Sequence, residues 1–172
     1  FCRGRIFDTI EQDNGQYDDT TEIFWASGSC LFIRAHAFFE VGGFDWDFFS
    51  HMEEIDLCWK LKNQGYKIMC NPQSTIYHVG GGTLSSENPF KTYLNYRNNL
   101  LMLYKNLDSK KRFRIIFTRL CLDGLSSLKF ILDGKPIHIF SILKAHINFY
   151  FLLARFKKKR SKNPRIKLLN KS

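Results

Sequence analysis

The chain has 172 residues, 44% apolar and 16% aromatic with 17 Phe, which suits one folded domain with a real core and excludes a disordered chain. Its net charge of +10 is unevenly placed: residues 1–104 carry 8 Lys+Arg against 13 Asp+Glu, residues 105–172 carry 18 against 3. An acidic part suits a cation or polyol ligand, and a basic part suits an anionic surface, membrane or nucleic acid.

Residues 1–22 are polar and rich in turn formers, which predicts a surface loop. Glu22–Trp25 reads as a short strand, Ala26-Ser27-Gly28-Ser29 as a tight turn, and Cys30–Arg34 as a buried strand. Ala35–Val41 reads as a short helix ending on Gly42-Gly43, and Phe44–Ser50 as an aromatic and acidic loop. Glu53–Asn63 follows as a helix with acids first, lysines last and Gly65 beyond its end, the order that a helix dipole and a C-terminal cap favour. Tyr66–Cys70 and Ser74–Val79 read as strands, Gly80-Gly81-Gly82 as a flexible loop, and Pro89–Tyr104 as a helix.

Beyond Lys105 the character changes. Arg112–Leu132 and Ile137–Phe156 are long, apolar and helical in period, each interrupted by charged or amide groups. They read as amphipathic helices lying in a membrane interface rather than crossing it. The tail Lys157–Ser172 has eight Lys+Arg and no acid, which suits an anionic membrane surface; a solvated, disordered tail is the alternative. Nucleic acid is not expected as a partner, because no groove-reading motif accompanies the basic residues.

The five cysteines, Cys2, Cys30, Cys58, Cys70 and Cys121, form no C-x-x-C pair and read as reduced thiols. The start Phe1-Cys2-Arg3-Gly4-Arg5 lacks a signal-peptide h-region and an initiating Met, so the chain reads as a piece of something longer. Glu53, Glu54 and Asp56 crowd one helix start. Carboxylates this close repel one another and must be desolvated together, which a chain tolerates more readily where chemistry, a cation or a hydroxyl-bearing ligand offsets it. They can also be ordinary first-turn acids. Trp25 and Trp46 read either as sugar-stacking or as core aromatics, His78 as a ligand or as a satisfied strand histidine, and Arg97 as a phosphate contact or as a brace.

The series W-A-S-G-S-C-L-F-I-R, E-V-G-G-F-D-W-D-F-F, E-E-I-D-L-C-W-K-L, I-Y-H-V-G-G-G and Y-R-N-N-L-L resembles the C-terminal half of family 2 glycosyltransferases of the bacterial rhamnosyltransferase-like type. The resemblance spans about residues 20–106. It implies an α/β fold, the C-terminal part of a GT-A nucleotide-diphospho-sugar transferase: a small mixed sheet with flanking helices, followed by amphipathic C-terminal helices. The division it implies is an acceptor-binding and catalytic-base half over 1–106, membrane-associated helices over 107–156 and a basic tail over 157–172.

The activity implied is inverting transfer of a sugar from a nucleotide-sugar donor to a hydroxyl of a saccharide or lipid-linked acceptor, in surface polysaccharide synthesis. The place implied is the cytoplasmic face of the bacterial inner membrane, peripherally bound. The family's Glu-Asp-x-Asp motif reads Glu-Glu-x-Asp here, so its base falls on Glu54, one methylene longer, with Glu53 and Asp56 beside it. Trp25, Gly28, Ser29, Phe44, Asp45, Trp46 and Arg97 match the substrate-binding side, and His78 matches a histidine that completes a metal shell. The cofactor implied is a divalent cation, Mg²⁺ or Mn²⁺, with its main ligands in an N-terminal half that is absent here. Asp45-x-Asp47 looks like the family's metal motif but stands in the acceptor loop and is not read as the metal site. The piece alone is expected to be inactive; a non-catalytic membrane-docking or carbohydrate-binding module is the alternative.

Overall fold

The computed structural model describes residues 5–6, 9–10, 12, 14–77 and 87–161. In chain order these form strands β1 (Arg5–Ile6), β2 (Thr9–Ile10) and β3 (Thr21–Ile23), helices α1 (Ala35–Glu40) and α2 (Glu53–Asn63), strand β4 (Ile68–Cys70), and the long helices α3 (Pro89–Asn106), α4 (Ser109–Leu132) and α5 (Ile137–Ser161). The architecture is mostly helical with two small antiparallel pairs, β1–β2 and β3–β4, which is compatible with an α/β domain.

The strands depart most from expectation. The mixed sheet is reduced to antiparallel pairs, and part of the N-terminal stretch read as loop forms β1 and β2. Cys30–Arg34, read as a buried strand, begins in a single 3-10 turn over Gly28–Cys30 and continues extended, with no strand partner among the described residues. Leu31 and Ile33 pack against Ala37, Leu57 and Leu61, while Phe32 is fully exposed. An apolar run shows that a segment can be buried on both faces; it does not show what lies at its edges. Residues 74–77 are irregular rather than a strand, and His78, Val79 and Gly80–Gly82 lie outside the described residues.

Several helix ends follow the sequence closely because they carry local signals. After α2, the amide of Gly65 (φ 89°) donates to Lys62 O and that of Tyr66 to Leu61 O, closing the last turn around a left-handed glycine. Gly42 and Gly43 end α1 in the same way, through Phe39 O and Phe38 O. The Asn88 side chain accepts from the Phe90 amide and Pro89 opens α3, where a missing N–H is harmless.

The main core lies where α5 packs along α3. Leu100, Leu101 and Met102 meet Phe149 and Phe156, and Phe48 enters the same cluster from the loop before α2. The other side of α2 packs Leu57 and Leu61 against Ala37 of α1. Helix α2 is therefore held between two apolar clusters.

Helix α5 is apolar on two sides: Ile142, Ala145, Phe149 and Phe156 are buried against the protein, and a second apolar row faces outward. Along the border between the two sides, polar groups reach the protein: Asn148 donates to the Tyr93 hydroxyl, the Lys144 ammonium lies 5.4 Å from the Tyr93 ring centre, and Arg155 pairs with Asp47. Phe140, Leu143, Ile147 and Tyr150, spaced three or four apart, and Phe151 beside them face outward and are exposed. Residues Ile137–Arg160 are long and apolar enough to cross a membrane by length and composition. Helix α4 adds Phe113, Phe117, Leu125 and Leu128 to the exposed apolar surface. Between α4 and α5, buried Asp123 accepts from His146 Nε2 at 2.9 Å and pairs with Arg119 at 2.7 Å.

Candidate active site

Four segments meet around the start of α2. The turn over residues 26–29 is stiffened by its own serines: the Ser27 hydroxyl accepts from the Ser29 amide, the two hydroxyls lie 2.9 Å apart, and Cys30 N donates to Ser27 O. It lies along the face of α2 that carries Glu54 and, one turn later, Cys58. A β-carbon on Gly28 would stand 3.9 Å from Cβ of Glu54, and the Ala26 backbone hydrogen-bonds the Cys58 thiol. Trp25, beside this turn, is nearly half exposed, and Phe24 meets Trp59 of α2 edge-on at 5.3 Å.

Glu54 is half-buried. Burial pushes its carboxyl above the usual range, and the neighbouring Glu53, close in charge and by hydrogen bond, pushes the same way. The Oε2 atoms of both residues are buried without a hydrogen-bond partner among the described residues. A partly desolvated carboxylate with a spare oxygen, next to a side-chain-free glycine, has the chemistry of a general base.

The third acid takes a different place. Asp56 is completely buried; its Oδ2 accepts from Lys105 at 2.7 Å and its Oδ1 from Asn106 at 2.7 Å, with Lys60 at 3.8 Å. Lys105 also donates to Asp45 at 2.7 Å, and Asp45 is gripped a second time by Lys159. Lys159 reaches Asp47 at 2.5 Å, and Arg155 reaches it at 2.8 Å. Burial would raise the Asp45 carboxyl, but Lys105 and Lys159 outweigh burial and hold it at about 2. Burial pulls the Lys60 ammonium down; its Nζ also donates to Gly43 O at 2.5 Å. A cavity of about 380 Å³ opens beside this network, lined among others by Phe44, Asp45, Trp46, Lys60, Lys105 and Lys159. Trp46 is 85% exposed. Glu53 and Glu54 do not line this cavity. A larger cavity, about 710 Å³, runs past Ala26, Cys58 and Leu61.

Arg97 points into the loop before α2. Its Nη2 donates to Asp47 O and Phe48 O at 3.2 Å, its Nη1 to the Tyr93 hydroxyl at 3.1 Å and its Nε to Asn98 Oδ1 at 2.9 Å. Asn98, fully buried, donates from Nδ2 to the carbonyls of Phe48, Ser50 and His51 at 2.8, 2.7 and 2.9 Å.

His78 lies outside the described residues. Among the described residues no three His, Cys, Asp or Glu side chains are placed to share a metal ion, so the divalent cation implied by the resemblance has no site built from them.

Lys105, Asn106, Lys159, Arg155 and Asn98 were not singled out from sequence. Their partners stand 47 to 114 positions away in the chain, and no local pattern encodes that. The available signal was a general one: a buried acid needs a buried cation, Lys105 stands at the end of α3, and basic residues crowd the end of α5.

No protein-family model matches the chain, and no solved structure matches it significantly. Among curated proteins it is similar to the N-acetylglucosaminyl-diphospho-decaprenol L-rhamnosyltransferase of Mycobacterium tuberculosis, 43% identical over 54 residues, which is 31% of this chain and 18% of that protein. It is similar to the low-salt glycan biosynthesis hexosyltransferase of Haloferax volcanii, 29% identical over 117 residues, 66% of this chain and 38% of that protein. It is similar to the rhamnosyltransferase WbbL of Escherichia coli, 36% identical over 62 residues, 36% of this chain and 23% of that protein. The matched stretches thus span well under half of each relative, and all three relatives are named as glycosyltransferases.

Proposed function

We propose that this chain forms the acceptor- and base-bearing part of an inverting glycosyltransferase of the GT-A type. The observation that carries the reading is Glu54: a half-buried carboxylate with an unpartnered oxygen, facing the Gly28 turn. Glu54 takes the proton of an acceptor hydroxyl as that oxygen attacks the anomeric carbon. The bond from that carbon to the donor's diphosphate breaks, and the nucleoside diphosphate leaves with the electron pair. Neutralising the departing diphosphate falls to groups outside the described residues, a divalent cation among them. Glu53 keeps the base's affinity for the proton high, and Trp25 offers an indole face to the sugar. The donor in this reading is a nucleotide-sugar and the acceptor a saccharide or a lipid-linked saccharide; the diphospho-decaprenol in one relative's name supports the lipid-linked acceptor.

The outward faces of α4 and α5 support attachment to an anionic bilayer at the cytoplasmic side. The apolar stripe of α5 and the exposed phenyl rings of α4 meet the lipid boundary. The two helices run antiparallel, so the basic start of α4 (Lys110, Lys111, Arg112, Arg114) and the basic end of α5 (Lys157, Lys158) share one end, as the contacts of Arg160 with Leu107 O and Ser109 show. Cations at that end complement lipid phosphates. The test of the catalytic reading is Glu54→Gln in the full-length gene product, assayed for sugar transfer and for donor binding. Near-normal transfer would remove Glu54 from the role of base.

A further inference from the structure

The loop that delivers the chain into α2 is strained. Phe49, His51 and Met52 have φ of 65°, 68° and 73°, in the left-handed region that residues with a side chain avoid. Each such residue is strained and persists only where the surroundings over-determine it. Met52 is also the N-cap residue of α2, and no side chain caps that end. The direction in which α2 starts is therefore set by the loop and not by a local cap.

What over-determines the loop is one carboxamide. Asn98 offers its two N–H groups to three successive bends of the loop, at Phe48, Ser50 and His51. Arg97 Nε donates to the Asn98 oxygen, which fixes the amide so that its nitrogen faces the carbonyls. The same guanidinium holds Asp47 O and Phe48 O, just upstream. Asn98 itself sits on a rigid base, because Leu94, Leu100 and Leu101 of α3 are buried in the core. Below the loop the Phe48 ring is buried and meets Phe156 of α5 edge-on at 5.8 Å. Ring and amide together hold the backbone that ends at Glu53 and Glu54.

We propose that Asn98, backed by Arg97, is a positioning residue: it fixes where α2 begins and so where the Glu54 carboxylate points. The assignment rests on Glu54 being the base. No isostere can replace Asn98. Aspartate would turn a carboxylate toward three carbonyl oxygens, and alanine would leave those oxygens buried without donors.

Two measurements on the full-length gene product test the proposal separately from the proposed activity. The first is backbone amide hydrogen exchange in Asn98→Asp and in Arg97→Gln, the milder variant should the former fail to fold. Exchange at Asp56–Cys58, the first closed turn of α2, becomes about tenfold faster or more, while the amides of α3 and α5 stay as in wild type. Unchanged exchange at Asp56–Cys58, or faster exchange everywhere, overturns the clamp whether or not the protein transfers sugar. The second is steady-state transfer from a panel of UDP-, GDP- and dTDP-sugars to a lipid-diphosphate-linked acceptor. In each variant kcat falls about 100-fold with the donor KM within about twofold, the effect of a misplaced rather than a missing base. A loss of rate matched by the unfolded fraction, or a rise confined to the donor KM, overturns the positioning role. A wild-type protein that transfers none of these sugars removes the proposed activity and leaves the exchange result to decide the clamp.

Discussion

Gly28 and Glu54 meet across the mouth of the candidate site: a β-carbon on the glycine would be 3.9 Å from Cβ of the glutamate. The glycine's backbone does not need left-handed freedom, so a larger residue is tolerated by the chain and excluded only by what must approach Glu54. Gly28→Leu is expected to fold with a thermal midpoint close to wild type and to lose acceptor-dependent transfer by at least about tenfold. Slow hydrolysis of the donor by water should survive. Full transfer in this variant would mean that the acceptor does not pass the glycine.

Glu54 has a raised carboxyl affinity for protons, first from burial and then from the charge of Glu53. A base must be deprotonated to act, so the transfer rate should fall as pH drops through a value above that of a free glutamate. Glu53→Gln removes a like charge and should move this acid limb to lower pH. Glu54→Asp should keep part of the rate, whereas Glu54→Gln should lose several orders of magnitude. A pH–rate profile that Glu53→Gln leaves in place would separate the two acids.

The buried pair of Lys105 and Asp56 predicts non-additive stability. Lys105→Met leaves two carboxylates without their main cation and should destabilise by about 3–5 kcal/mol, with Asp56→Leu costing a similar amount. The double variant should cost clearly less than the two single losses together, since the strongest unpaired charge is then gone. Denaturant titrations of the four proteins check this. Additivity would mean that the two groups do not share their energy.

Asp45 gives the acid stability a sign. Its folded value of about 2 lies below the ordinary 3.8, so the ionised form is favoured by folding. The stabilisation, of order 2 kcal/mol, is fully present above about pH 4 and is lost as pH falls through about 2. The stability gap between wild type and Asp45→Asn should therefore shrink between those pH values. A gap that is constant over that range would show that Lys105 and Lys159 do not bias the proton equilibrium of Asp45.

The outward apolar stripe should carry membrane affinity. Phe140→Asp combined with Phe151→Asp is expected to abolish sedimentation with vesicles containing anionic lipid, with folding retained because both side chains are exposed. Removing the charge of Lys110, Lys111, Lys157 and Lys158 should weaken binding by about 1 kcal/mol per charge and flatten its dependence on salt. Undiminished binding by the double aspartate variant would assign that face to another partner.

The helices were legible from sequence because their signals are local. Glu53–Asn63 matches α2 residue for residue, from acids at one end to Gly65 past the other. The two long helices were legible in place but not in full length: α5 continues to Ser161, five residues into the segment read as tail, whose remainder (162–172) lies outside the described residues, and the direction of their faces was not legible. Lys144, Asn148 and Arg155 reach toward the protein because Tyr93 and Asp47 wait there, and those partners belong to other elements. Strand status was least legible: Cys30–Arg34 has the composition of a strand and no described partner to make it one. At the candidate site, crowding of acids could be read from the sequence, but their division could not. Asp56 is drawn to Lys105 on the inner side of α2, whereas Glu54, two residues earlier and so on another face of the helix, stays by the Gly28 turn.

The last turns of α5 reach back across more than a hundred residues of sequence to hold Asp45 and Asp47, through Lys159 and Arg155. A recombinant version trimmed before residue 155 for the sake of solubility would therefore lose more than a hydrophobic appendage. It would release the acidic loop from its counter-ions, and an assay on such a shortened protein would report on a differently charged entrance.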